Sequence, residues 1–481
     1  MLPVLSSLLL AQIAEPPAPP DDPGRPAGAA TRTILIPQAV RSLPGQLDDS
    51  LMFNSNSPEV VRQDGILLST FSPAGKAHPE AHLNYTFNGR FAIFAHHIAR
   101  SDNPYATPTL YQGLLLANPS AETVTVNINQ AASFLSTPDA PFVSLPTYVD
   151  NPVGNVYSGP GSRAMSVILR GRRQPTWPFR VVIPPGETRV LASLPIPLPR
   201  LSNRPLITTL VPQDLLLAQN LVTNLNPNLL QPVPPDPPPP TYASSNGRST
   251  LAHLFSDGPV QVASLAFYAP VTWDGREQIP QPSDWANLIV SANLAGPRDV
   301  KPTPLDLNPP RFFYGRVAGV AQGMTWRAEV TDAGRPYLVI PARGEAISYG
   351  LSTLNRGTLG TGQVQSAPLK VRYPDTAYLA HGNYGIHYDL TFPLLNPTAQ
   401  TQTVTLSVQS PLKEDRNQGG LRFLDPPEPR VFFRGTIRLR YTDDRGQNQT
   451  RYVHVVKHRG QQGDPLISLN LSPGEERMLQ V

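Results

Sequence analysis

The chain has 481 residues, of which 58 are proline and none is cysteine, whereas proline ordinarily makes up about 5% of a protein. Because proline lacks a backbone donor and fixes φ, it interrupts helices and central strands, and this composition predicts short strands, many turns and few helices. Charged residues make up 15% and the formal net charge is +4, so neither a disordered polyelectrolyte nor a nucleic-acid-binding surface is indicated. The absence of cysteine excludes disulfides, zinc–thiolate sites, iron–sulfur clusters and thiol catalysis.

Residues 1–14 have the features of a secretory signal peptide. The run 2–11 (LPVLSSLLLA) is apolar but shorter than the roughly 20 residues that cross a bilayer, and residues 15–30 (EPPAPPDDPGRPAGAA) follow as a proline-rich linker. No lysine or arginine precedes the run, and a cut after Ala11 or Ala14 does not fit the Ala-x-Ala pattern. A cysteine-free, proline-rich chain fits a bacterial envelope, and we expect it in the periplasm, the outer envelope or outside the cell, without a transmembrane segment.

Two similar segments indicate an internal repeat. Residues 111–129 (YQGLLLANPSAETVTVNIN) and 388–409 (YDLTFPLLNPTAQTQTVTLSVQ) both run from an apolar stretch through an Asn-Pro turn into a strictly alternating stretch. A period of two predicts a strand with one buried face. The residues expected on that face are Val124, Val126 and Ile128 in the first copy and Val404, Leu406 and Val408 in the second.

A second repeated element follows each copy. Residues 181–195 (VVIPPGETRVLASLP) and 467–481 (ISLNLSPGEERMLQV) place Pro-Gly-Glu between two alternating stretches, and residues 337–351 (YLVIPARGEAISYGL) look like a third copy. Proline followed by glycine is typical of a tight turn whose second central residue has positive φ. The order of Asn-Pro turn, strand, Pro-Gly turn and strand is similar to bacterial immunoglobulin-like sandwich modules.

The predicted fold is therefore all-β, with two or three immunoglobulin-like β-sandwich modules, long proline-rich loops and a few short helices. Asp214 and Ser283 are the predicted caps of two such helices. The paired sheets are expected to bury purely apolar faces. The predicted divisions are a β-sandwich module at 31–200, a connector with a proline-rich loop at 201–250, a β-rich central region at 251–365 and a second β-sandwich module at 366–481.

Distinctive short runs occur along the chain from residue 38 onward. They lie at 46–48, 53–61 (FNSNSPEVV), 65–71, 95–97 (AHH), 159–163, 246–251, 294–299 (LAGPRD), 314–320 (YGRVAGV), 349–363, 373–378, 380–385 (AHGNYG) and 432–436. In these runs the sequence resembles an uncharacterised family of exported cyanobacterial proteins. The resemblance implies a photosynthetic bacterial source and an envelope or extracellular location, but no activity, cofactor or catalytic residue.

Histidines are the candidate metal ligands. His96 and His97 are adjacent, so a regular strand would point them to opposite faces, and one of them would need the nearby loop histidines His78 and His82 to complete a site. His387 and Asp389 are two residues apart and would share a strand face, with His381 six residues before the first. Isolated packed or solvated histidines explain the same pattern, and no resident metal or cofactor is predicted. A calcium site at Asp443 and Asp444 is a further alternative to a plain hairpin turn there.

The densest basic and aromatic run is LRGRRQPTW. Arg170, Arg172 and Arg173 would pair with carboxylates, and an exposed Trp177 would stack on a sugar. This patch is the candidate glycan-binding site, and a salt-bridged strand edge is its alternative interpretation.

The leading functional hypothesis is a non-enzymatic exported protein that binds or organises an envelope polysaccharide or an envelope protein. One alternative is a hydrolase of the cell wall or of polysaccharide that uses Asp274, Glu277 and Asp284, because such chemistry needs two facing carboxylates. A second alternative is a metal-dependent binding protein that uses the histidines. The sequence contains none of the common motifs for nucleophilic, zinc-dependent or phosphate-binding catalysis.

Overall fold

The computed structural model describes residues 31–101, 108–198, 244–274 and 276–481. Strands account for 46% of these residues and helices for 6%, which confirms the all-β prediction. The predicted signal peptide and linker lie outside the described residues, as do most of the connector and the helix at Asp214.

The largest sheet has twelve strands among the described residues. These are β4 (Leu51–Ser55), β5 (Val60–Val61), β6 (Gly65–Ser69), β7 (Phe87–Ser101), β8 (Leu110–Ala117), β9 (Val124–Leu135), β11 (Arg180–Ile183), β12 (Thr188–Ile196), β13 (Ser244–Tyr268), β14 (Ala318–Gln322), β18 (Ala367–Arg372) and β19 (Leu379–Ala380). Its main path runs β11-β9-β13-β7-β4-β14-β18-β19. The long strand β13 pairs with β7 and β9 along its first half and with β6 and β8 along its second.

A second sheet has eight described strands, and its main path runs β10-β24-β23-β26-β20-β15-β3. Its members are β3 (Gln46–Leu47), β10 (Tyr148–Asp150), β15 (Thr325–Glu329), β16 (Leu338–Val339), β20 (His387–Leu395), β23 (Val431–Thr442), β24 (Asn448–His458) and β26 (Glu476–Gln480). The remaining described strands are β1 (Arg32–Pro37), β2 (Ala39–Arg41), β17 (Ile347–Tyr349), β21 (Gln402–Ser407), β22 (Gly420–Asp425) and β25 (Pro465–Leu471).

The first strands of the described chain pair with distant ones. β1 pairs antiparallel with β22, and an ion pair of 2.8 Å joins Arg32 to Asp425 at one end. β2 lies parallel to β17, and β3 lies antiparallel to β15. The N-terminal strands are thus held by the central and C-terminal parts of the sequence.

The two repeated segments pair their strands in the same way. β8 pairs with β12 and β9 with β11 in the first copy, and β20 pairs with β26 and β21 with β25 in the second, always antiparallel. The predicted apolar faces are buried at 8% exposure or less in both copies, which confirms the alternation. The third segment, which has Pro-x-x-Gly-Glu in place of Pro-Gly-Glu, differs, because its strands β16 and β17 lie parallel to β20 and β2.

Asn118 and Asn396 hold the two Asn-Pro turns with equivalent hydrogen bonds. Asn118 Nδ2 donates to the carbonyls of Glu122, Ile183 and Pro184, and its Oδ1 accepts from the amide and hydroxyl of Ser120. Asn396 Nδ2 donates to the carbonyls of Gln400, Leu471 and Ser472, and its Oδ1 accepts from the amide and hydroxyl of Thr398. One buried amide therefore ties each Asn-Pro turn to the strand that precedes its Pro-Gly turn.

Two α-helices occur in the described ranges, α1 (Pro160–Leu169) and α2 (Pro282–Ser291). The α2 helix was predicted, but Ser283 does not cap it. Its N-cap is Gln281, whose amide donates to the Asp284 carboxylate at 2.7 Å. Neither helix is long and apolar enough to cross a membrane.

Strand pairing crosses the predicted divisions of the chain. β13 begins in the predicted connector and ends in the central region, yet it lies between β7 and β9 of the first module. β14 and β18, from the central region and the last module, extend the same sheet. The boundaries at 200, 250 and 365 therefore do not separate sheets, because distant parts of the chain supply neighbouring strands.

Candidate functional site

A cavity of about 40 Å³ lies where three loops meet on the large sheet. Its lining consists of Asn54, Asn56 and Glu59 at the end of β4 and beyond it, residues 314–317 before β14, and residues 380–384 after β19. β4 and β14 are antiparallel neighbours, so the first two segments lie side by side. The backbone N–H of Asn56 donates to the backbone carbonyl of Val317 at 2.8 Å. The third segment folds over these strands, where the Tyr384 ring stacks on Phe94 at 5.3 Å. We call this site the Glu59 cavity.

Several buried polar atoms of the lining have no hydrogen-bond partner among the described residues. They are Asn54 Oδ1, Asn56 Oδ1, Asn383 Oδ1 and both ring nitrogens of His381. The four side chains belong to residues that are at most 7% exposed. A buried polar atom without a partner costs about 1–3 kcal/mol. These five atoms lie in the walls of the cavity with almost no accessible surface of their own, and similar atoms occur elsewhere among the described residues, for example at His454 and Ser407.

A buried charge network forms one wall of the Glu59 cavity. The Arg316 guanidinium contacts the Glu59 carboxylate directly and lies 3.2 Å from Asp299. Asp299 also accepts from the Ser57 hydroxyl at 2.8 Å and from the Glu59 amide at 3.2 Å. Two carboxylates thus share one guanidinium.

Burial sets the protonation of the groups around the Glu59 cavity. It raises the pKa of Glu59 to about 7, and Asp299 adds to this rise while Arg316 opposes it. Burial lowers the pKa of His96 to about 4 and that of His381 to about 3, so both imidazoles are neutral at pH 7. With Glu59 ionised, Glu59, Asp299 and Arg316 together carry one net negative charge.

The loop after β19 turns sharply at the Glu59 cavity. Asn383 has φ 47°, in the left-handed region that asparagine adopts more readily than most residues with a side chain. A Cβ at Gly382 would lie 2.4 Å from the Tyr384 ring, so glycine fits beside that ring. This turn brings Asn383 to the cavity.

The Glu59 cavity corrects the expectation that the sheets bury only apolar groups. Glu59, Arg316 and Asn383 were not among the predicted site residues, and Glu59 lies 257 residues before Arg316 in the chain. A signal was present, because every lining residue falls in one of three runs that carry the family resemblance, 53–61, 314–320 and 380–385.

His96 and His97 point to opposite faces of β7, as the strand period predicts. His97 is fully buried and bonds Ser55 Oγ at 2.9 Å and the Pro58 carbonyl at 2.8 Å. His96 bonds Ser249 Oγ at 2.8 Å and lies 3.7 Å from Glu59. Each histidine therefore has its own partners, and the two do not converge on one point.

His387 and Asp389 do not form a metal site either. Asp389 accepts hydrogen bonds from Arg327 at 3.3 Å and from Gln480 at 2.9 Å. Burial lowers the pKa of His387, against the opposing effect of Asp389. Across the described residues, no group of three or more His, Asp or Glu side chains is arranged to hold a metal ion.

The predicted glycan patch is wrong in its central feature. Trp177 is only 4% exposed and packs in the core, so its indole cannot stack on a sugar. The Arg170 guanidinium lies 3.9 Å from the Tyr452 ring centroid and donates to the Pro152 carbonyl at 2.9 Å. Arg173 lies over Phe179 and donates to the Ile128 carbonyl at 3.2 Å. Arg172 is the exposed side chain of the predicted patch. The other three side chains are packed against neighbouring groups of the protein.

The carboxylates proposed for hydrolysis have separate local partners. Asp274 pairs with Arg276 at 3.3 Å, Glu277 accepts from the Thr109 amide at 3.1 Å, and Asp284 caps α2. None of the three lines the Glu59 cavity.

The two acids of the predicted hairpin turn, for which calcium binding was the alternative, are occupied in a similar way. Asp443 accepts from the amides of Arg445 and Gln447, each at 2.9 Å, and Asp444 accepts from the Asn470 amide at 3.0 Å. These bonds make the segment a hairpin turn between β23 and β24.

Comparison with known proteins identifies a family but no function. Residues 38–481 match the family model described as "Protein of unknown function (DUF3370)". The match spans nearly all of the described residues, so the chain belongs to this family. No curated protein and no solved structure matches the chain.

Proposed function

We propose that this member of the DUF3370 family is a non-enzymatic protein of the cell envelope that binds a polar group of an envelope glycan in the Glu59 cavity. The observation that carries the proposal is the convergence of polar side chains from three chain segments on one cavity, beside the buried network of Glu59, Arg316 and Asp299. A few convergent polar groups in a concave site are typical of ligand recognition.

The rim of the Glu59 cavity suits a sugar. Tyr314 and Tyr384 are half-buried and line the cavity. Tyr384 is held by stacking on Phe94, and Tyr314 is held by edge contacts with Phe312 and His381. Amide and carboxylate groups also line the cavity. Aromatic faces combined with a few convergent polar groups are typical of sites that bind and orient a small polar ligand.

The distribution of acids favours binding over hydrolysis. Glu59 is the one carboxylate among the described residues that line the cavity, and the neighbouring Asp299 is paired with Arg316. Glycoside hydrolysis uses two carboxylates about 5–10 Å apart on either side of the scissile bond. Glu59 and Asp299 both pair with the single Arg316 guanidinium, which does not leave two free carboxylates to act on a scissile bond.

The proposed location is the envelope of a cyanobacterium, reached by export. The apolar run 2–11, the proline-rich residues after it and the lack of cysteine support this location. Immunoglobulin-like modules are the proposed ancestry of the two repeated units, and their equivalent strand pairing supports it.

Binding of the full chain to immobilised polysaccharide from cyanobacterial envelopes tests the proposal. Asn54→Leu should lower retention roughly tenfold, because it removes a polar atom from the cavity and fills space there. Gln112→Leu is the matched control, since Gln112 is 1% exposed and its Oε1 also lacks a partner among the described residues, but it does not line the cavity. Absence of retention by the unmodified chain, or equal retention by Asn54→Leu, would contradict the proposal.

A further inference from the structure

We propose that residues 270–274 and 276–279, which we call the Trp273 hairpin, form a second carbohydrate-binding site, at which the Trp273 indole stacks on the face of a pyranose ring in a polysaccharide chain. None of these residues lines the Glu59 cavity. The inference therefore concerns a different surface and does not depend on what the cavity binds.

Trp273 is the most exposed large apolar side chain of the described residues, at 100%. The other three tryptophans of the chain, Trp177, Trp285 and Trp326, are at most 5% exposed. An indole that packs against nothing forgoes the burial by which aromatic side chains ordinarily stabilise a fold. Packing within the protein therefore does not explain why a tryptophan stands at this position.

Two more apolar side chains are exposed in the same hairpin. Val271 bridges to Glu277 across it, which places Ile279 on the same face as Val271, because residues two apart in an extended segment point alike. Val271 is 53% exposed and Ile279 is 63% exposed. The hairpin thus presents a group of apolar side chains rather than a single scattered one, and such groups mark interaction sites.

Hydrogen bonds hold the Trp273 hairpin in one shape. The backbone N–H of Thr272 donates to the Arg276 carbonyl at 2.9 Å, and the backbone N–H of Arg276 donates to the Thr272 hydroxyl at 3.2 Å. At the base of the hairpin, the Glu277 carboxylate accepts from the backbone N–H of Thr109, which lies just before β8, at 3.1 Å. A platform that is ordered before binding loses little conformational entropy when a ligand arrives.

The exposed indole fits a sugar ring in shape and in chemistry. The face of an aromatic ring carries partial negative charge, and the C–H bonds on the face of a pyranose ring present weakly positive hydrogens to it. Asp274, Arg276 and Gln278 are exposed in the same hairpin. Their carboxylate, guanidinium and amide groups suit the hydroxyls at the edge of the sugar ring.

A membrane and a protein partner fit the Trp273 hairpin less well. Its charged side chains, Asp274, Arg276 and Glu277, sum to one negative charge, which gives no attraction to anionic lipid headgroups. A single short hairpin is too small to supply the roughly 800 Å² per partner of a standard protein interface. A sugar ring, in contrast, needs an area close to that of one indole.

Tryptophan fluorescence of the full chain tests the inference, because the other three indoles are buried. Acrylamide should quench mainly Trp273. Cellohexaose, a neutral chain of pyranose rings, should protect Trp273 from quenching and shift its emission to shorter wavelength. Sorbitol, which has hydroxyls but no ring face, should do neither at the same hydroxyl concentration. No protection by cellohexaose, or equal protection by sorbitol, would overturn the inference.

Two further measurements address the other occupants. Protection by vesicles of phosphatidylcholine and phosphatidylglycerol, without protection by cellohexaose, would identify a membrane as the occupant. Protection that grows with protein concentration alone would identify a second copy of the chain. Either result would overturn the inference, and the expected result is that neither occurs.

Calorimetric titration with cellohexaose separates ring stacking from general apolar contact. Trp273→Leu should weaken binding at least about tenfold, whereas Trp273→Phe, which keeps an aromatic face, should weaken it less. Both variants should fold, since Trp273 has no packing to lose. The matched control is Phe179→Ala, because Phe179 is 67% exposed but the Arg173 guanidinium lies 4.9 Å from its ring centroid, and it should bind like the unmodified chain. Unchanged binding by Trp273→Leu, or equal losses in the leucine and phenylalanine variants, would overturn the inference.

Asn54→Leu, the variant of the Glu59 cavity, separates this inference from the proposed function. A loss of cellohexaose binding confined to Trp273→Ala is expected and supports the inference, and a loss in both variants supports both sites. A loss confined to Asn54→Leu overturns the inference and leaves the proposed function intact. On immobilised envelope polysaccharide, lower retention of Trp273→Ala with unchanged retention of Asn54→Leu would contradict the proposed function alone.

Discussion

The asparagines of the two Asn-Pro turns and those of the Glu59 cavity are equally buried, yet their hydrogen bonding is opposite. Asn118 and Asn396 are at most 1% exposed, and both ends of each amide are paired with the chain around them. Asn54, Asn56 and Asn383 are at most 7% exposed, and each leaves its carbonyl oxygen without a partner among the described residues.

Under the proposed function, this difference separates residues that serve the fold from residues of the candidate binding site. The turn asparagines repeat the same five bonds in two places, as a structural motif should. The cavity asparagines come from two segments that meet once, Asn54 and Asn56 from one and Asn383 from the other. Burial alone does not distinguish the two groups, whereas the accounting of hydrogen bonds does. Four measurements on the unliganded protein test this comparison.

The largest effect is expected when a turn asparagine is removed. Asn118→Ala and Asn396→Ala should each lower the free energy of unfolding by on the order of 3 kcal/mol, because several buried carbonyl and amide groups lose a partner. Denaturant unfolding measures the change. The control is Asn129→Ala on the exposed face of β9, which should change stability by less than about 0.5 kcal/mol. A large effect in one copy and none in the other would break the equivalence of the two turns.

Glu59→Gln should change how stability depends on pH. The pKa of Glu59 is raised in the folded protein from 4.5 to about 7, so its stabilising contribution is complete below pH 4.5 and is lost as pH rises through 7. The unmodified chain should therefore lose on the order of 3 kcal/mol relative to the variant between pH 4.5 and pH 7.5. Urea unfolding of both proteins across this range measures it. A constant difference would show that Glu59 titrates normally.

The glycines of the Pro-Gly turns should respond alike. Gly186 and Gly474 have φ 69° and 71°, with open space where a Cβ would lie. Alanine at either position should cost about 1–2 kcal/mol through backbone strain alone. Gly161→Ala within α1 is the control of opposite sign, since its Cβ would meet Ser249 Oγ at an ordinary 3.8 Å and alanine favours helix by up to about 1 kcal/mol. Unequal costs at the two turns would mean that their backbones differ.

The smallest effect on stability is expected from Asn54→Leu, the variant designed to weaken binding. Asn54→Leu should leave the free energy of unfolding unchanged or raise it by up to about 1 kcal/mol, because an unpaired buried amide is replaced by an apolar group. Asn118→Leu, in contrast, should destabilise as strongly as Asn118→Ala. Thermal unfolding of the two leucine variants measures this. Equal destabilisation would show that Asn54 is a structural residue like Asn118.

Local features of the fold could be predicted from the sequence. The alternation at Val124, Val126 and Ile128 follows from the pleat of a strand, and these side chains are buried at 2% or less. The hairpin between β23 and β24 follows from its turn residues, and Arg440 pairs with Thr450 across it. Such patterns depend on neighbours in sequence, which is why they are readable there.

Features that depend on distant neighbours were missed. Glu59 and Arg316 are 257 residues apart, and no local pattern brings them together. Residue type alone does not tell whether Trp177 stacks on a ligand or fills a core. Its burial follows from its packing against side chains of β7, β9 and β13. The α1 helix did have a local signal, namely Pro160 in its first turn with Ala164 and Ile168 four residues apart.

The pairing of β1 with β22 has a consequence for how the chain acquires its structure. The partner strand of residues 32–37 lies at residues 420–425. A ribosome must therefore synthesise most of the sequence before β1 can pair with β22. Such long-range closure slows folding, and until then the exposed strand edge of the N-terminal segment is open to association with other chains. A chaperone that shields nascent or newly delivered chains would therefore bind the N-terminal segment of this protein. It would be released once residues 420–425 are available to pair with that segment.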